Sequence, residues 1–186
     1  MVSKRHTRVS KFLSLILRHQ PELVNLSLDE AGWVNVSQLL EGCRKAGVKI
    51  TLEELKEIVR TNDKRRFSFT RDFKYIRANQ GHSVEVQLGL QPTSPPITLF
   101  HGTAKHFLPS IFKEGLLKKK RHHVHLSDRR SAAVEVGKRH GFPIVLQIDA
   151  GKMEREGVDF YRTENGVWLV DHVPPKYICF PTDLTE

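Results

Sequence analysis

Apolar and polar positions alternate with a helical period in the first half of the chain. Val9, Phe12, Leu13, Ile16 and Leu17 recur every three or four residues, which predicts an amphipathic helix. Proline disfavours a helical conformation in the residue before it. Because Pro21 follows this pattern, the helix should end near His19 or Gln20.

Two more helices and a hairpin are predicted before residue 80. A turn at Asp29–Gly32 precedes the helical stretch VSQLLEGCRKAG, for which Gly47 suits the position just past the end. The next helical stretch, TLEELKEIVRTN, opens with a capping box formed by Thr51 and Glu54. Alternation in RRFSFTRDFKYIRA around a turn at Thr70–Lys74 predicts a hairpin. This order of elements is typical of a winged helix, a module that binds nucleic acid or other proteins.

The second half is rich in short strands. Two helices interrupt them, one ending at Gly115 and one capped by Ser131 with Gly141 past its end. A small, mostly antiparallel sheet in an α+β lobe is therefore expected. The predicted strands are ITLFHGT, HVHLS, PIVLQID, GVDFYRT, NGVWLV and KYICF.

A proline-rich stretch separates the two halves. The sequence LQPTSPPIT contains three prolines and no continuous apolar pattern, so it predicts a linker. We therefore expect an N-terminal lobe over residues 1–91, a linker over 92–97 and a C-terminal lobe over 98–186.

The net positive charge of the chain indicates a polyanionic partner. The chain has 30 Lys and Arg against 21 Asp and Glu, a formal charge of +9. Both halves are basic, which favours nucleic acid or phosphate-rich ligands over a basic protein without such a partner. No apolar run reaches the ~18 residues of a membrane span, and no apolar signal core follows the basic N-terminus, so a cytoplasmic protein is expected. Cys43 and Cys179 lack metal-ligand spacing, and nothing indicates an obligate oligomer.

Four cationic features are candidates for chemistry. Arg18 and His19 lie at a helix end, where basic residues are common for the helix dipole alone. Lys64, Arg65 and Arg66 are consecutive in NDKRRF, which is either a phosphate-contacting loop or a solvated turn.

The other two features lie in the second half. In LFHGT, a strand delivers His101, Gly102 allows close approach of a ligand to the backbone, and Thr103 is expected to cap the next helix. In KKKRHHVHLS, His123 and His125 share a strand face. A metal site there lacks carboxylate or Cys ligands, so phosphate is the favoured ligand.

The order of these motifs resembles that of the tRNA 2′-phosphotransferase family. SLILRH, NDKRRF, FHGT, GLLKKKRHHVHLS and NGVWL follow one another as in that family, along nearly the whole chain. The resemblance implies a winged-helix RNA lobe joined to an NAD lobe of the ADP-ribosyltransferase type. It also implies transfer of an RNA 2′-phosphate to NAD, without a metal.

The resemblance further implies roles for individual residues. The expected catalytic residues are Arg18, His19, Arg66 and Arg121, and Lys64 and Arg65 are expected to contact RNA. The expected NAD-binding residues are His101, Gly102, Thr103, Ser110, Gly115, His123, His125 and Ser127.

Two alternatives remain open from the residues alone. One is a transferase that attaches ADP-ribose to a nucleic-acid end and stops there. The other is a winged-helix nucleic-acid binder without catalytic activity. Incubation with a 2′-phosphorylated oligonucleotide and NAD distinguishes these two alternatives from the expected enzyme, because only the expected enzyme yields a 2′-hydroxyl product.

Overall fold

The computed structural model describes residues 4–181, which form two compact units. The first extends to Gly89 and the second begins at Leu90. All strand pairs of the described chain are antiparallel, and helices and small sheets are both present, as an α+β protein requires. Within the same residues, no helix combines the length and apolarity that crossing a membrane demands.

The first unit packs its helices against a small sheet of strand order β1-β3-β2. Its apolar core includes Leu13, Leu17, Leu39, Leu55 and Ile76, each with no exposed surface. The elements are α1 (Lys4–Arg18), β1 (Val34–Asn35), α2 (Val36–Lys45), α3 (Leu52–Arg60), β2 (Phe67–Phe69) and β3 (Tyr75–Ala78).

Local sequence signals account for most helix ends of this unit. Thr51 Oγ1 accepts the backbone N–H of Glu54 at 3.1 Å, so the predicted capping box is confirmed. Gly47 follows α2 with φ of +79°, a left-handed conformation that glycine adopts without strain. Asn35 caps α2 by accepting from the N–H groups of Ser37 and Gln38.

The second unit contains three small antiparallel sheets, of order β11-β7-β4, β6-β9-β8 and β10-β5. Leu99, Leu146, Ile148, Met153 and Phe160 lie in its core. The helices are α4 (Leu108–Glu114), α5 (Arg130–Gly137) and α6 (Ala150–Arg155). The strands are β4 (Thr98–Ala104), β5 (Leu116–Leu117), β6 (Val124–Leu126), β7 (Pro143–Asp149), β8 (Tyr161–Arg162), β9 (Trp168–Val170), β10 (His172–Val173) and β11 (Ile178–Cys179).

Two predicted helix caps of the second unit are wrong. Thr103 lies inside β4, and a 3-10 turn separates it from α4, whose N-cap position is Phe107. Ser131 lies in the first turn of α5, and Arg129 holds the cap position without a side-chain bond. Instead, Ser127 Oγ accepts the Arg129 N–H at 3.1 Å. In both places the helix begins at a different residue from the one that cap chemistry predicts.

Gly102 allows β4 and α5 to pack closely. A Cβ added at Gly102 would lie 1.8 Å from the carbonyl oxygen of Ala133 and 2.9 Å from the backbone N of Gly137. Both atoms belong to the backbone of α5, so no side-chain rotation relieves the overlap. The need for glycine here therefore has a packing cause, besides the ligand approach that the sequence predicts.

We expect Gly102→Ala to destabilise the second unit by about 3 kcal/mol or more, at the upper end of overpacking effects. Urea unfolding in a Trp33→Phe background measures this, because Trp168 then reports on the second unit alone. Gly157→Ala is the matched control. Its Cβ meets nothing within 4 Å, and only the positive φ costs about 1 kcal/mol. Equal losses for the two variants would contradict the packing explanation.

Candidate functional site

The end of α1 carries Arg18 and His19. The N–H groups of His19 and Gln20 both donate to the carbonyl oxygen of Leu15, which closes the helix before Pro21. The side chain of Arg18 is half-buried and lies against Gly81, with Nη1 3.6 Å from the position of an added Cβ. His19 is exposed, and its Nδ1 lies 2.9 Å from Ser83 Oγ.

Arg66 lies on a turn between α3 and β2 that is fixed by Asn62. The amide oxygen of Asn62 accepts from the backbone N–H and from Nη1 of Arg66, at 3.3 and 3.2 Å. Its Nδ2 donates to Ser10 Oγ on α1 at 3.0 Å. A single side chain thus holds the guanidinium of Arg66 and ties its turn to α1.

The same turn contains a strained residue. Arg65 has φ of +41°, in the left-handed region that residues with a Cβ rarely adopt. Asn79 stabilises this conformation, since its Nδ2 donates to the Arg65 carbonyl at 2.7 Å and its N–H donates to the Arg66 carbonyl at 2.9 Å. Strain of this kind often occurs at functional sites.

The segment Asn79–Ser83 contacts three of the residues predicted to be catalytic. Asn79 bonds the backbone of Arg66, Gly81 packs on Arg18, and Ser83 bonds His19. The structure therefore brings Arg18, His19 and Arg66 together around one short segment of the first unit. Lys64 and Arg65, the predicted RNA contacts, are exposed on the turn of Arg66.

In the second unit, His101 is held in one tautomer. Its Nδ1 lies 3.0 Å from the carbonyl oxygen of His125, which can only accept, so Nδ1 carries the proton. Burial lowers the pKa of His101; the bond to His125 opposes this shift, and the positive charges of Arg121 and His140 add to it. The ring is therefore neutral near pH 7, and Nε2 is left as an acceptor.

Arg121 lies next to this pair. Its Nη1 donates to Nδ1 of His125 at 2.7 Å, and because guanidinium only donates, Nδ1 must be unprotonated. Burial is the main cause that lowers the pKa of Arg121, and the charge of Arg139 adds to it. Because the ordinary pKa of a guanidinium is far above neutral, Arg121 stays charged. His101, His125 and Arg121 thus form one connected cationic and imidazole cluster.

The remaining residues of the predicted NAD set differ in their surroundings. Ser127 pairs its backbone with Phe100, directly before His101. The ring of His123 lies 5.6 Å from that of Tyr161, and burial lowers the pKa of His123. Gly102 and Thr103 are buried in β4. Ser110 and Gly115 make local contacts at α4, where Ser110 Oγ donates to the carbonyl of Phe107 and Gly115 follows the last residue.

Sequence reasoning missed four residues near these groups: Asn62, Asn79, Ser83 and Arg139. Asn62 stands in the NDKRRF motif, where only the cations drew attention. Asn79 and Ser83 belong to NQGHS, which follows a strand and shows no periodicity. In residues 4–181, no group of three or more His, Cys, Asp or Glu side chains could hold a metal ion.

Comparison with known proteins identifies a family. The model of the family described as "RNA 2′-phosphotransferase, Tpt1 / KptA family" matches residues 4–172. Relatives named probable RNA 2′-phosphotransferase include one from Acaryochloris marina, 54% identical over 91% of this chain and 93% of its own. Others are from Flavobacterium johnsoniae, 52% identical over 92% and 94% of the two chains, and Trichormus variabilis, 51% identical over 96% and 98%.

The lowered pKa of His101 predicts an acid-sensitive second unit. As the pH falls below about 6.5, the ring of His101 becomes protonated in the unfolded chain, whereas in the folded chain it stays neutral down to a lower pH. Stability is therefore full above pH 6.5 and falls as the pH drops toward the folded pKa, by up to about 1.4 kcal/mol per pH unit. His101→Asn keeps a donor for the His125 carbonyl and removes the titration.

Urea unfolding between pH 8 and 5, again in the Trp33→Phe background, measures the difference. Wild type should lose more stability than His101→Asn below pH 6.5, while the two curves run parallel above pH 7. His123 contributes to both curves equally. Parallel curves over the whole range would show that His101 is not held neutral by the fold.

Proposed function

The chain belongs to the RNA 2′-phosphotransferase family, and we propose on that basis that it removes an RNA 2′-phosphate by transferring it to NAD. The products are 2′-hydroxyl RNA, ADP-ribose 1″,2″-cyclic phosphate and nicotinamide, formed through an ADP-ribosylated 2′-phosphate. The family match over residues 4–172 carries the proposal, because it spans every cationic motif of the chain. NAD is consumed and is therefore a substrate.

In this proposal each unit binds one substrate. The first is a winged-helix lobe for RNA, which its three helices and antiparallel hairpin support. Lys64 and Arg65 contact RNA phosphates, since they are exposed beside Arg66. The second is an ADP-ribosyltransferase-type lobe for NAD. The protein acts as a cytoplasmic monomer.

Several features of the second unit fit NAD. The neutral ring of His101 offers Nε2 as an acceptor, which suits a ribose hydroxyl. Arg121, with Arg139 nearby, supplies positive charge for phosphate oxygens. His125 lies in β6, and Ser127 directly follows the last residue of that strand. His123, Ser110, Gly115, Gly102 and Thr103 complete the proposed NAD-binding set.

The first step forms a bond between an oxygen of the RNA 2′-phosphate and C1″ of the nicotinamide ribose. The C1″–N bond breaks, and its electron pair leaves with nicotinamide. Because the attacking group is already an anion, the protein needs no strong base. Its main task is to hold two polyanions in contact, for which guanidinium groups are suited by permanent charge and bidentate geometry.

The second step forms a bond between O2″ and phosphorus. The bond from phosphorus to the RNA 2′-oxygen breaks, and the proton of the 2″-hydroxyl ends on that oxygen. Charge shifts onto the non-bridging oxygens, which Arg18, Arg66 and Arg121 stabilise. His19 bonds the phosphate or carries the proton, a role that imidazole fills well near neutral pH.

The decisive experiment incubates the protein with NAD and an oligonucleotide that carries one internal 2′-phosphate. We expect a 2′-hydroxyl oligonucleotide, nicotinamide and the cyclic phosphate in equal amounts. Mass spectrometry measures all three products. A stable ADP-ribosylated oligonucleotide would show that the protein stops after the first step. Absence of nicotinamide release would show that it only binds nucleic acid.

Arg66→Ala and Arg121→Ala should slow the second step more than the first. Without the guanidinium, the charged oxygens on phosphorus are less stabilised in the transition state of the second step. ADP-ribosylated RNA should then accumulate by about tenfold or more, the effect expected from removing one electrostatic group. Arg44→Ala is a matched control, because Arg44 is exposed and pairs with Glu41 on the same helix. Loss of nicotinamide release without any adduct would contradict the second-step role.

A further inference from the structure

We propose that Ser83 is a positioning residue that orients the imidazole of His19 for the reaction. This rests on the proposed function, in which His19 bonds the transferred phosphate or carries a proton. The sequence gives Ser83 no role, and its position in the structure is the reason to assign one. Its hydroxyl oxygen lies 2.9 Å from Nδ1 of His19, although 64 positions separate the two residues.

The backbone of Ser83 is held in place by the end of α1. The N–H groups of Ser83 and Val84 donate to the carbonyl oxygen of Arg18, at 2.9 and 3.3 Å. That carbonyl belongs to the last residue of the helix, where no residue of the helix can serve as donor. The hydroxyl therefore approaches His19 from a fixed point.

The other end of the segment is fixed as well. Asn79 donates from its backbone to Arg66 and from its side chain to Arg65, as described above. Gly81 lies between these anchors with φ of +85° and packs on Arg18. Ser83 thus belongs to a segment whose position is set by the residues proposed to bind the phosphate.

A serine hydroxyl suits this position chemically. It can accept from a protonated Nδ1 or donate to an unprotonated one by rotating its hydrogen. The ring therefore keeps its orientation in either protonation state, with Nε2 directed away from Ser83. A group that passes a proton or bonds a phosphate needs this constancy.

The contact is exposed to solvent, so the expected effect is moderate. A hydrogen bond of this kind favours one ring orientation about three- to tenfold. Ser83→Ala should lower kcat by that factor and leave KM for NAD unchanged, because the backbone bonds to Arg18 remain. Ser83→Thr, which keeps the hydroxyl, should restore most of the rate.

A double-mutant cycle with His19→Ala tests whether Ser83 acts through His19. In single-turnover reactions with excess enzyme, Ser83→Ala should slow wild type three- to tenfold and have no further effect on His19→Ala. Ser14→Ala is the control: this serine lies on α1, donates to the Ser10 carbonyl at 2.8 Å, and should leave rates unchanged. A further loss in the His19→Ala background would overturn the proposal.

A second measurement does not depend on activity. Nitrogen-15 NMR of the ring nitrogens should show a changed Nδ1 signal for His19 in Ser83→Ala, and a signal close to wild type in Ser83→Thr. An unchanged Nδ1 signal in Ser83→Ala would overturn the proposal. If wild type converts no 2′-phosphorylated RNA, the proposed function fails, and the NMR result still decides whether Ser83 orients the ring.

Discussion

Helix α1 ends at Arg18 with a backbone carbonyl that the helix itself cannot satisfy. Two N–H groups from the segment after β3 bond this oxygen, and the candidate site of the first unit depends on that junction. It joins the end of one element to a segment that also bonds the Arg66 turn. Arg18, His19 and Arg66 therefore share a support although 48 positions separate the first of them from the last. A helix end that needs donors is a simple means of fixing a distant loop.

Positive charge is concentrated at the site of each unit, and this has consequences for stability and function. The charge of Arg139 adds to burial in lowering the pKa of Arg121, and Arg121 in turn lowers that of His101. Like charges held together oppose folding, and a bound polyanion relieves that cost. Exposed cations elsewhere, such as Arg44 and Arg60, have carboxylate partners on their own helices.

Sequence reasoning was most successful where the signal is local. The helices of the first unit, the capping box at Thr51 and the hairpin follow from periodicity and turn chemistry. It was less successful in the second unit, where β5 and β10 are two residues long and pair with each other although they lie far apart in the sequence. Ser131 is not the cap because α5 already begins at Arg130, one residue earlier. Cationic motifs were recognisable, whereas their supports, Asn62 and Asn79, act through tertiary hydrogen bonds that leave no pattern in the sequence.

The two units hold their imidazole groups in different ways, and the difference follows from their surroundings. His101 is partly buried in its unit and bonds a carbonyl, which can only accept, so burial favours the neutral ring and this bond selects its tautomer. His19 is exposed and faces a hydroxyl, which can donate or accept. A fixed acceptor suits the role proposed for His101, recognition of a substrate hydroxyl that keeps its proton. A ring that keeps its place while its proton comes and goes suits the role proposed for His19. The partner on Nδ1 therefore distinguishes the two rings: a carbonyl fixes the tautomer of His101, and a hydroxyl leaves both protonation states open to His19.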